Sequence, residues 1–172
     1  MTEARIRIAA PADVADIARV HVRAWQSAYR GHIPDGYLDA LEPEQRVPLW
    51  SKVVVDPSSA VLVGIFNHAL VGFCSQFTAR DADVGSGVAE ISALYVEPGH
   101  WRAGVGRALL EAAVRCARER EFSALTLWVL AGNARARRFY EALGFELDGR
   151  EKTEQRPGFS LHEVRYRRSL SD

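Results

Sequence analysis

Two closely spaced glycines between an apolar segment and an amphipathic one suit the binding of phosphate. Gly104 and Gly106 stand where the second segment begins, flanked by Arg102 and Arg107. A helix start leaves backbone N–H groups without partners, and its dipole favours an anion. Glycine lets a phosphate approach the backbone closely, and arginine adds charge-assisted hydrogen bonds. The segment 102–107 therefore indicates a pyrophosphate cradle; the alternative is a helix entry whose glycines only permit tight packing.

A second segment carries polar groups at helical spacing. Asn133 is a favourable N-cap residue, and Tyr140 lies seven residues later, so both share one face of a helix. Ala136 between them leaves room for a ligand, and Gly144 suits the left-handed conformation that ends a helix. By itself this is an ordinary capped helix. Together with the glycine loop it indicates an enzyme that holds a long phosphate-bearing cofactor and transfers a group from it.

Hydrophobic periodicity predicts the elements that position these two segments. The predicted strands are 5–9, 60–66, 70–77, 88–96, 123–130, 145–153 and 161–168. The predicted helices are 11–29, 34–41, 42–54, 105–120 and 133–143. The strand–helix–strand passage through 88–130 implies a parallel crossover, and the flanking hairpins imply antiparallel pairs. The predicted fold class is therefore mixed α/β, with helices on both faces of the sheet.

Length and composition restrict the function classes. The 172 residues suit one domain spanning 1–172. The 22 basic and 22 acidic residues cancel, which argues against a nucleic-acid partner, since that needs a basic surplus. No stretch is long enough to span a membrane, and the N-terminus lacks a signal-peptide core, so we expect a cytoplasmic protein with no membrane partner. Cys74 and Cys116 fit no zinc spacing, so we expect no metal.

Two other phosphate-binding motifs are absent from the sequence. There is no Gly-x-x-x-x-Gly-Lys-Ser/Thr run, which disfavours a P-loop kinase or ATPase. The run from Gly104 to Leu109 lacks the third glycine of the dinucleotide motif, and it does not follow the first strand as that motif would. The glycine loop therefore belongs to another class of phosphate site.

The two segments together resemble those of the GNAT superfamily of acetyl-CoA-dependent N-acetyltransferases. The resemblance extends from about Ala60 to Phe145, and the element order agrees with that fold. The family pattern at the loop is Gln/Arg-x-x-Gly-x-Gly/Ala, and this chain departs from it with Trp101 in the first position, next to Arg102. The resemblance implies a mostly antiparallel central sheet of about seven strands with a splayed parallel pair. It also implies acetyl-CoA (coenzyme A) as co-substrate.

The resemblance further assigns residues to the co-substrate. The strand backbone at Leu94, Tyr95 and Val96 would bind the pantetheine arm. The pyrophosphate would be bound by Arg102, Ala103, Gly104, Val105, Gly106 and Arg107. Asn133 would contact the pantetheine or phosphate region beside the small Ala136, and Tyr140 would lie near the sulfur.

Transfer of an acetyl group to a primary amine needs a proton acceptor for the amine, a donor for the oxyanion and a proton for the thiolate. Tyr140 is the predicted general acid, because a phenol is neutral at pH 7. Glu90 is the predicted general base, acting through a water, with His100 as the alternative. We expect direct attack in a ternary complex, because neither Cys74 nor Cys116 has an adjacent histidine and both suit burial.

The acceptor pocket would be built largely from the N-terminal helices. Trp25, Tyr29 and Tyr37 are the predicted acceptor-binding residues, although Trp25 also lies on an apolar helix face and can instead be core. The acceptor is a small-molecule or peptide amine that the sequence does not name. Rival functions are a catalytically silent acyl-CoA-binding sensor and a nucleotide-binding protein unrelated to CoA. The oligomeric state also stays open, although homodimers are frequent among similar proteins.

Overall fold

The computed structural model describes residues 4–171; Met1 to Glu3 and Asp172, at the two ends of the predicted domain, lie outside the described residues. The strands are β1 (Arg5–Ile8), β2 (Ser59–Phe66), β3 (Ala69–Thr78), β4 (Val88–Val96), β5 (Ala124–Leu130), β6 (Glu146–Arg156) and β7 (Phe159–Ser169). The helices are α1 (Val14–Ala28), α2 (Asp35–Asp39), α3 (Val47–Val55), α4 (Val105–Glu119) and α5 (Ala134–Glu141).

Within residues 4–171, the seven strands form one sheet in the order β1-β2-β3-β4-β5-β7-β6. Every neighbouring pair is antiparallel except β4 and β5, which are parallel because α4 crosses between them. The predicted fold class, a mixed sheet with one parallel pair and helices on both faces, is confirmed.

Apolar side chains from the helices cover opposite faces of the sheet. On one face α4 buries Val105, Leu109 and Leu110 against the central strands. On the other face α1 and α3 pack around Phe73 of β3, and Trp50 is part of that core. No helix in the described range is long and apolar enough to cross a membrane.

The boundaries of some elements differ from the prediction. The last hairpin is longer, because Arg156 pairs directly with Phe159 across the two-residue turn Pro157–Gly158. Periodicity missed the end of β6 because this outer strand is exposed at almost every residue and carries few apolar side chains. The predicted helix 42–54 is divided into a 3-10 turn, Pro43–Arg46, and α3, each with a proline in its first turn.

Gly72 of β3 allows α4 to approach the sheet closely. A Cβ atom at this position would lie 3.0 Å from Leu109 Cδ1, 3.1 Å from the Tyr95 carbonyl oxygen and 3.2 Å from Val105 Cγ1. We therefore expect Gly72→Ala to lower the free energy of unfolding by about 1–3 kcal/mol through overpacking. Urea denaturation would measure this, with Gly36→Ala as the control, since a Cβ there meets nothing within 4 Å. Equal stability of the two variants would contradict the tight helix–sheet contact.

Candidate active site

β4 and β5 separate halfway along their length. Only Val88–Ile91 of β4 pairs with Ala124–Leu127 of β5. Ser92 is the extra residue of a β-bulge, because the partners of Gln76 and Ser75 on β3 are Ile91 and Ala93. A bulge bends its strand, and beyond it β4 stays paired with β3 while β5 stays paired with β7. In the described part of the chain, the β4 edge after the bulge therefore faces a gap instead of a strand.

A cavity of about 560 Å³, which we call the central cavity, occupies this gap and the sheet surface beside it. Trp25 and Tyr29 of α1 line it on one side, and Glu90 of β4 and Trp128 of β5 line it on the sheet. The other end of the cavity is lined by the predicted helix face of α5 and its N-cap, with Asn133, Ala136 and Tyr140.

A second cavity of about 670 Å³, the loop groove, lies between the end of β4, the loop before α4 and α5. Arg102, Gly104, Gly106 and Arg107 line it. The loop groove and the central cavity share six lining residues, namely Leu94, Val96, Trp101, Arg135, Ala136 and Tyr140. The two therefore form one continuous depression that runs from the glycine loop to the gap in the sheet.

The loop before α4 presents backbone donors to this groove. Gly104 is the N-cap of α4, with a φ of 82° that favours glycine. The first hydrogen bond of the helix runs from the Ala108 N–H to the Gly104 carbonyl at 3.0 Å. The N–H groups of residues 105–107 therefore have no acceptor within the helix. A Cβ at Gly104 would meet nothing within 4 Å, so the space beside this residue at the helix start is open.

Three of the cofactor residues predicted on β4 and the glycine loop do not line the loop groove. Ala103 and Val105 are outside its lining, and Val105, the first residue of α4, is 1% exposed. The Tyr95 ring lies on the α1 side of the sheet, stacked on His21 with centroids 5.2 Å apart. Of the three, only Tyr95 lines the central cavity, and the main-chain contacts of Ala103 and Val105 with the cofactor stay predictions.

Trp101, the departure from the family pattern, connects the loop to both neighbouring elements. Its indole Nε1 donates to the Val96 carbonyl at 2.8 Å, and the Arg135 guanidinium lies 3.7 Å from the ring centre. Burial, and then the charge of Arg102, lowers the pKa of Arg135. Arg102, Arg107 and Arg135 all line the loop groove, and these three guanidinium groups make it electropositive and suited to an anion.

Tyr140 lies in the last turn of α5, half-buried beside Phe139 and Phe145 at centroid distances of 5.3 and 5.9 Å. Burial raises the pKa of its hydroxyl above the usual value, so the phenol keeps its proton at neutral pH. At the other end of the helix the Asn133 side chain accepts a hydrogen bond from the Ala136 N–H at 3.1 Å. This cap leaves the Asn133 amide NH₂ group as a donor near the cavity.

Glu90 lies on the sheet surface of the central cavity, half-buried between Phe77 of β3 and Thr126 of β5. Burial, and then the nearby charge of Asp81, raises the pKa of its carboxyl group, while Lys152 acts in the opposite direction. A raised pKa brings a carboxylate closer to the range in which a general base works best.

A second half-buried carboxylate in the central cavity was missed by the sequence analysis. Glu163 of β7 pairs with Leu130 of β5 and lines the cavity beside Tyr29. Burial raises its pKa, opposed by Lys152, whose Nζ lies 3.5 Å from the carboxylate. The available signal was the alternation along β7, which places the charged Glu163 on the same face as the buried Leu161.

Arg165, also on that face and 3% exposed, binds three carboxylates beneath the cavity. Its Nε donates to Asp148 at 2.6 Å, its Nη2 to Asp83 at 2.6 Å and its Nη1 to Asp81 at 3.1 Å. Asp81 also accepts from the Trp128 indole at 3.0 Å. This group, the Arg165 cluster, connects the β6–β7 hairpin and the loop after β3 to the cavity wall.

The remaining predicted residues lie apart from the central cavity. Tyr37 is outside its lining and packs against Phe159 with centroids 4.9 Å apart. His100 lines the loop groove and contacts Phe66, so it lies at the glycine-loop end. Among residues 4–171, no group of three or more His, Cys, Asp or Glu side chains is arranged to hold a metal ion.

Comparison with known proteins places the chain in a family. The sequence profile of the acetyltransferase (GNAT) family matches residues 20–145. The uncharacterized N-acetyltransferase YuaI of Bacillus subtilis (strain 168) is 31% identical over 133 residues, which cover 74% of this chain and 72% of that protein.

Solved structures agree with the sequence comparison. The ribosomal-protein-alanine N-acetyltransferase of Brucella melitensis superposes with a TM-score of 0.76 at 26% identity, covering 96% of this chain and 99% of that one. YncA of Salmonella typhimurium, solved with its cofactor acetyl-CoA, has a TM-score of 0.75 at 23% identity, covering 99% of this chain and 96% of its own, and shows the same fold. With its splayed parallel pair, its glycine loop and a family profile that spans most of its length, this chain belongs to the GNAT family of acetyltransferases.

Proposed function

We propose that the protein transfers the acetyl group of acetyl-CoA to a primary amine by direct attack within a ternary complex. The observation that carries this proposal is the continuous depression that joins the glycine loop to the gap between β4 and β5. It offers an anion site at the glycine-loop end and Tyr140 where the two cavities join. The acetyl-CoA bound by YncA, a protein of the same fold, supports the same co-substrate.

The residues of the depression suit such a molecule. The N–H groups of residues 105–107, with Arg102 and Arg107, would hold the pyrophosphate. The β4 edge from Ala93 to Val96, which has no strand beside it in the described part of the chain, would hydrogen-bond the amides of the pantetheine arm as a neighbouring strand would. At Val96 the carbonyl already accepts from the Trp101 indole, so the arm would share that acceptor. When bound, acetyl-CoA would supply the acetyl group as a thioester.

Glu90 and Tyr140 would handle the two protons. As the amine nitrogen bonds to the acetyl carbon, Glu90 would accept a proton from it through a water. As the carbon–sulfur bond breaks, Tyr140 would donate its hydroxyl proton to the sulfur, and exchange with solvent would restore both groups. Burial raises the pKa of the Tyr140 hydroxyl because it disfavours the phenolate. Burial disfavours the leaving thiolate in the same way, so the raised pKa of Tyr140 does not by itself oppose proton transfer from the phenol to the sulfur.

Direct attack is favoured because neither cysteine suits a covalent acetyl intermediate. Both are free thiols, with Cys74 buried on β3 and Cys116 partly buried on α4. Burial raises the pKa of the Cys74 thiol to about 12, so almost none of it is thiolate at neutral pH.

A screen of primary amines tests the proposal. Purified protein is mixed with acetyl-CoA and each amine, thiol release is followed, and acetylated products are identified by mass spectrometry. Acetyl-CoA should also raise the melting temperature by mass action, and ATP should not. Stabilisation by acetyl-CoA without thiol release from any amine would instead favour an acyl-CoA-binding sensor.

Glu90→Gln tests the base. We expect kcat/KM at pH 7 to fall by roughly 10²–10⁴-fold and to recover partly at higher pH, where the free amine loses its proton to solvent. Asp81→Asn should lower the pKa of Glu90, because it removes a negative charge that raises it, and so shift the acidic limb of the profile to lower pH. A pH–rate profile measures both effects. If Glu163→Gln caused the loss and Glu90→Gln did not, the base would be Glu163.

A further inference from the structure

The charged side chains of the central cavity do not all have partners. Lys152 is paired with Glu163 at 3.5 Å, and Arg156 with Glu154 at 2.8 Å. Arg80 and Glu90 line the same cavity, and neither forms an ion pair within 4.0 Å among the residues that the structure describes. Within residues 4–171, Arg135, at the end shared with the loop groove, is also without an ion pair. At the sheet end, the described lining therefore presents one cation and one anion without ion-pair partners, and the charge of Arg80 acts on Glu90 by lowering its pKa.

Arg80 is an exposed residue whose guanidinium stacks on an aromatic ring of the sheet. Its guanidinium lies 4.1 Å from the centre of the Phe77 ring, and Phe77 is directly opposite Glu90 in the β3–β4 register. Facing residues of neighbouring strands lie side by side on one face of the sheet. The Arg80 guanidinium and the Glu90 carboxylate are therefore separated by about the width of the Phe77 side chain. Stacking on a ring leaves the edge of the guanidinium free, and that edge binds carboxylates and other oxyacids through paired hydrogen bonds.

Aromatic side chains form part of the lining of the central cavity. Trp128 is fixed by the hydrogen bond from its indole to Asp81 at 3.0 Å, and Lys152 Nζ lies 4.4 Å from its ring centre. Phe77 and Tyr29 add further ring surface to the lining. The cavity volume of about 560 Å³ is enough for a small molecule.

We propose that the acceptor is a small zwitterion of the amino-acid type, with its amine directed to Glu90 and its acidic group bound by Arg80. The inference rests on the proposed acetyl transfer and specifies its substrate class. Such a ligand would satisfy both unpaired charges at once. A simple alkylamine would leave Arg80 without a partner. A polyamine would bring a further ammonium group close to the positive charges of Arg80, Lys152 and Arg156, which would repel it.

Matched substrates test this inference. Each common L-amino acid is compared with its carboxamide and with the amine that remains after loss of the carboxyl group, with acetyl-CoA held constant. We expect kcat/KM for the best amino acid to exceed that for its amide by roughly 10- to 100-fold, since the amide loses one charged hydrogen-bonding group. The amine of the amide is less basic than that of the amino acid, so a larger fraction of it is unprotonated at neutral pH. Amine reactivity alone would therefore favour the amide, and a preference for the amino acid cannot come from basicity.

Arg80→Gln supplies the second measurement, and Arg115→Gln, on the exposed side of α4, is the control. We expect Arg80→Gln to lower kcat/KM for the amino acid by roughly 10- to 100-fold, mainly through KM, and to leave the amide nearly unchanged. Arg115→Gln should change neither. Faster turnover of the amides or simple amines, or equal losses for amino acid and amide in Arg80→Gln, would overturn the substrate class while acetyl transfer stands. No turnover of any amine would overturn the acetyl transfer itself.

Discussion

Replacement of Arg165 by methionine should lower the free energy of unfolding by about 1.5–3 kcal/mol, the range for hydrogen bonds to charged groups. The Arg165 side chain is buried, but its three carboxylate partners are 16–33% exposed, so water can solvate them once the cation is removed. Methionine fills a similar volume but provides none of the hydrogen bonds to Asp81, Asp83 and Asp148. Those three carboxylates would then repel one another where a cation now holds them. Urea denaturation at pH 7 measures the loss, with Arg167→Met, at an exposed position of the same strand, as the control.

The loss should also depend on pH in a defined direction. Hydrogen bonds from Arg165 lower the pKa of Asp83 from 3.8 to about 2. A lowered folded-state pKa gives stability that is present above pH 3.8 and is lost as the pH falls towards 2. The difference between wild type and Arg165→Met should therefore be largest near neutral pH and shrink below pH 4. A difference that stayed constant from pH 7 to pH 2.5 would contradict the ion-pair account of the Arg165 cluster.

Tyr140→Phe should lower kcat by roughly 10²–10⁴-fold and leave the affinity for acetyl-CoA almost unchanged. The ring contacts with Phe139 and Phe145 are kept, so the shape of the depression is preserved and only the hydroxyl proton is lost. Single-turnover thiol release measures the first quantity, and calorimetric titration with CoA measures the second. Because burial raises the pKa of Tyr140, the factor lost should be nearly the same from pH 6 to pH 9.

Tyr166→Phe is a matched control for this experiment. Tyr166 is also buried, and its hydroxyl donates to Glu141 at 2.6 Å and accepts from Arg137 at 3.0 Å, but it lines neither the central cavity nor the loop groove. We expect this variant to lose stability and to retain its kcat. A Tyr140→Phe variant with the kcat of the wild type would show that another group or solvent protonates the sulfur.

Features that depend on residues close together in sequence were predicted well. The glycine N-cap of α4 and the face of α5 that begins at its Asn133 N-cap depend on spacing within one or two turns, and both lie beside the same depression. The lining of the central cavity was predicted in part. Trp25 and Tyr29 line it, whereas Tyr37 lies outside it. Glu163 of β7 and Arg80 of the loop after β3 were not predicted, because their positions at the cavity depend on contacts between residues distant in sequence. The catalytic roles of Tyr140 and Glu90 stay predictions.

The sequence by itself determined the element order, the phosphate-type loop and the family resemblance, because caps, glycines and apolar periods act over a few residues. The resemblance also implied that the parallel pair splays, but the tertiary structure decided at which residue the two strands separate and which charges meet there. The gap depends on the bulge at Ser92 and on β5 keeping β7 as its partner, and a bulge is defined only by register against another strand. The Arg165 cluster likewise depends on tertiary structure. Its carboxylates belong to two segments that are distant in sequence, and only folding brings them to one guanidinium.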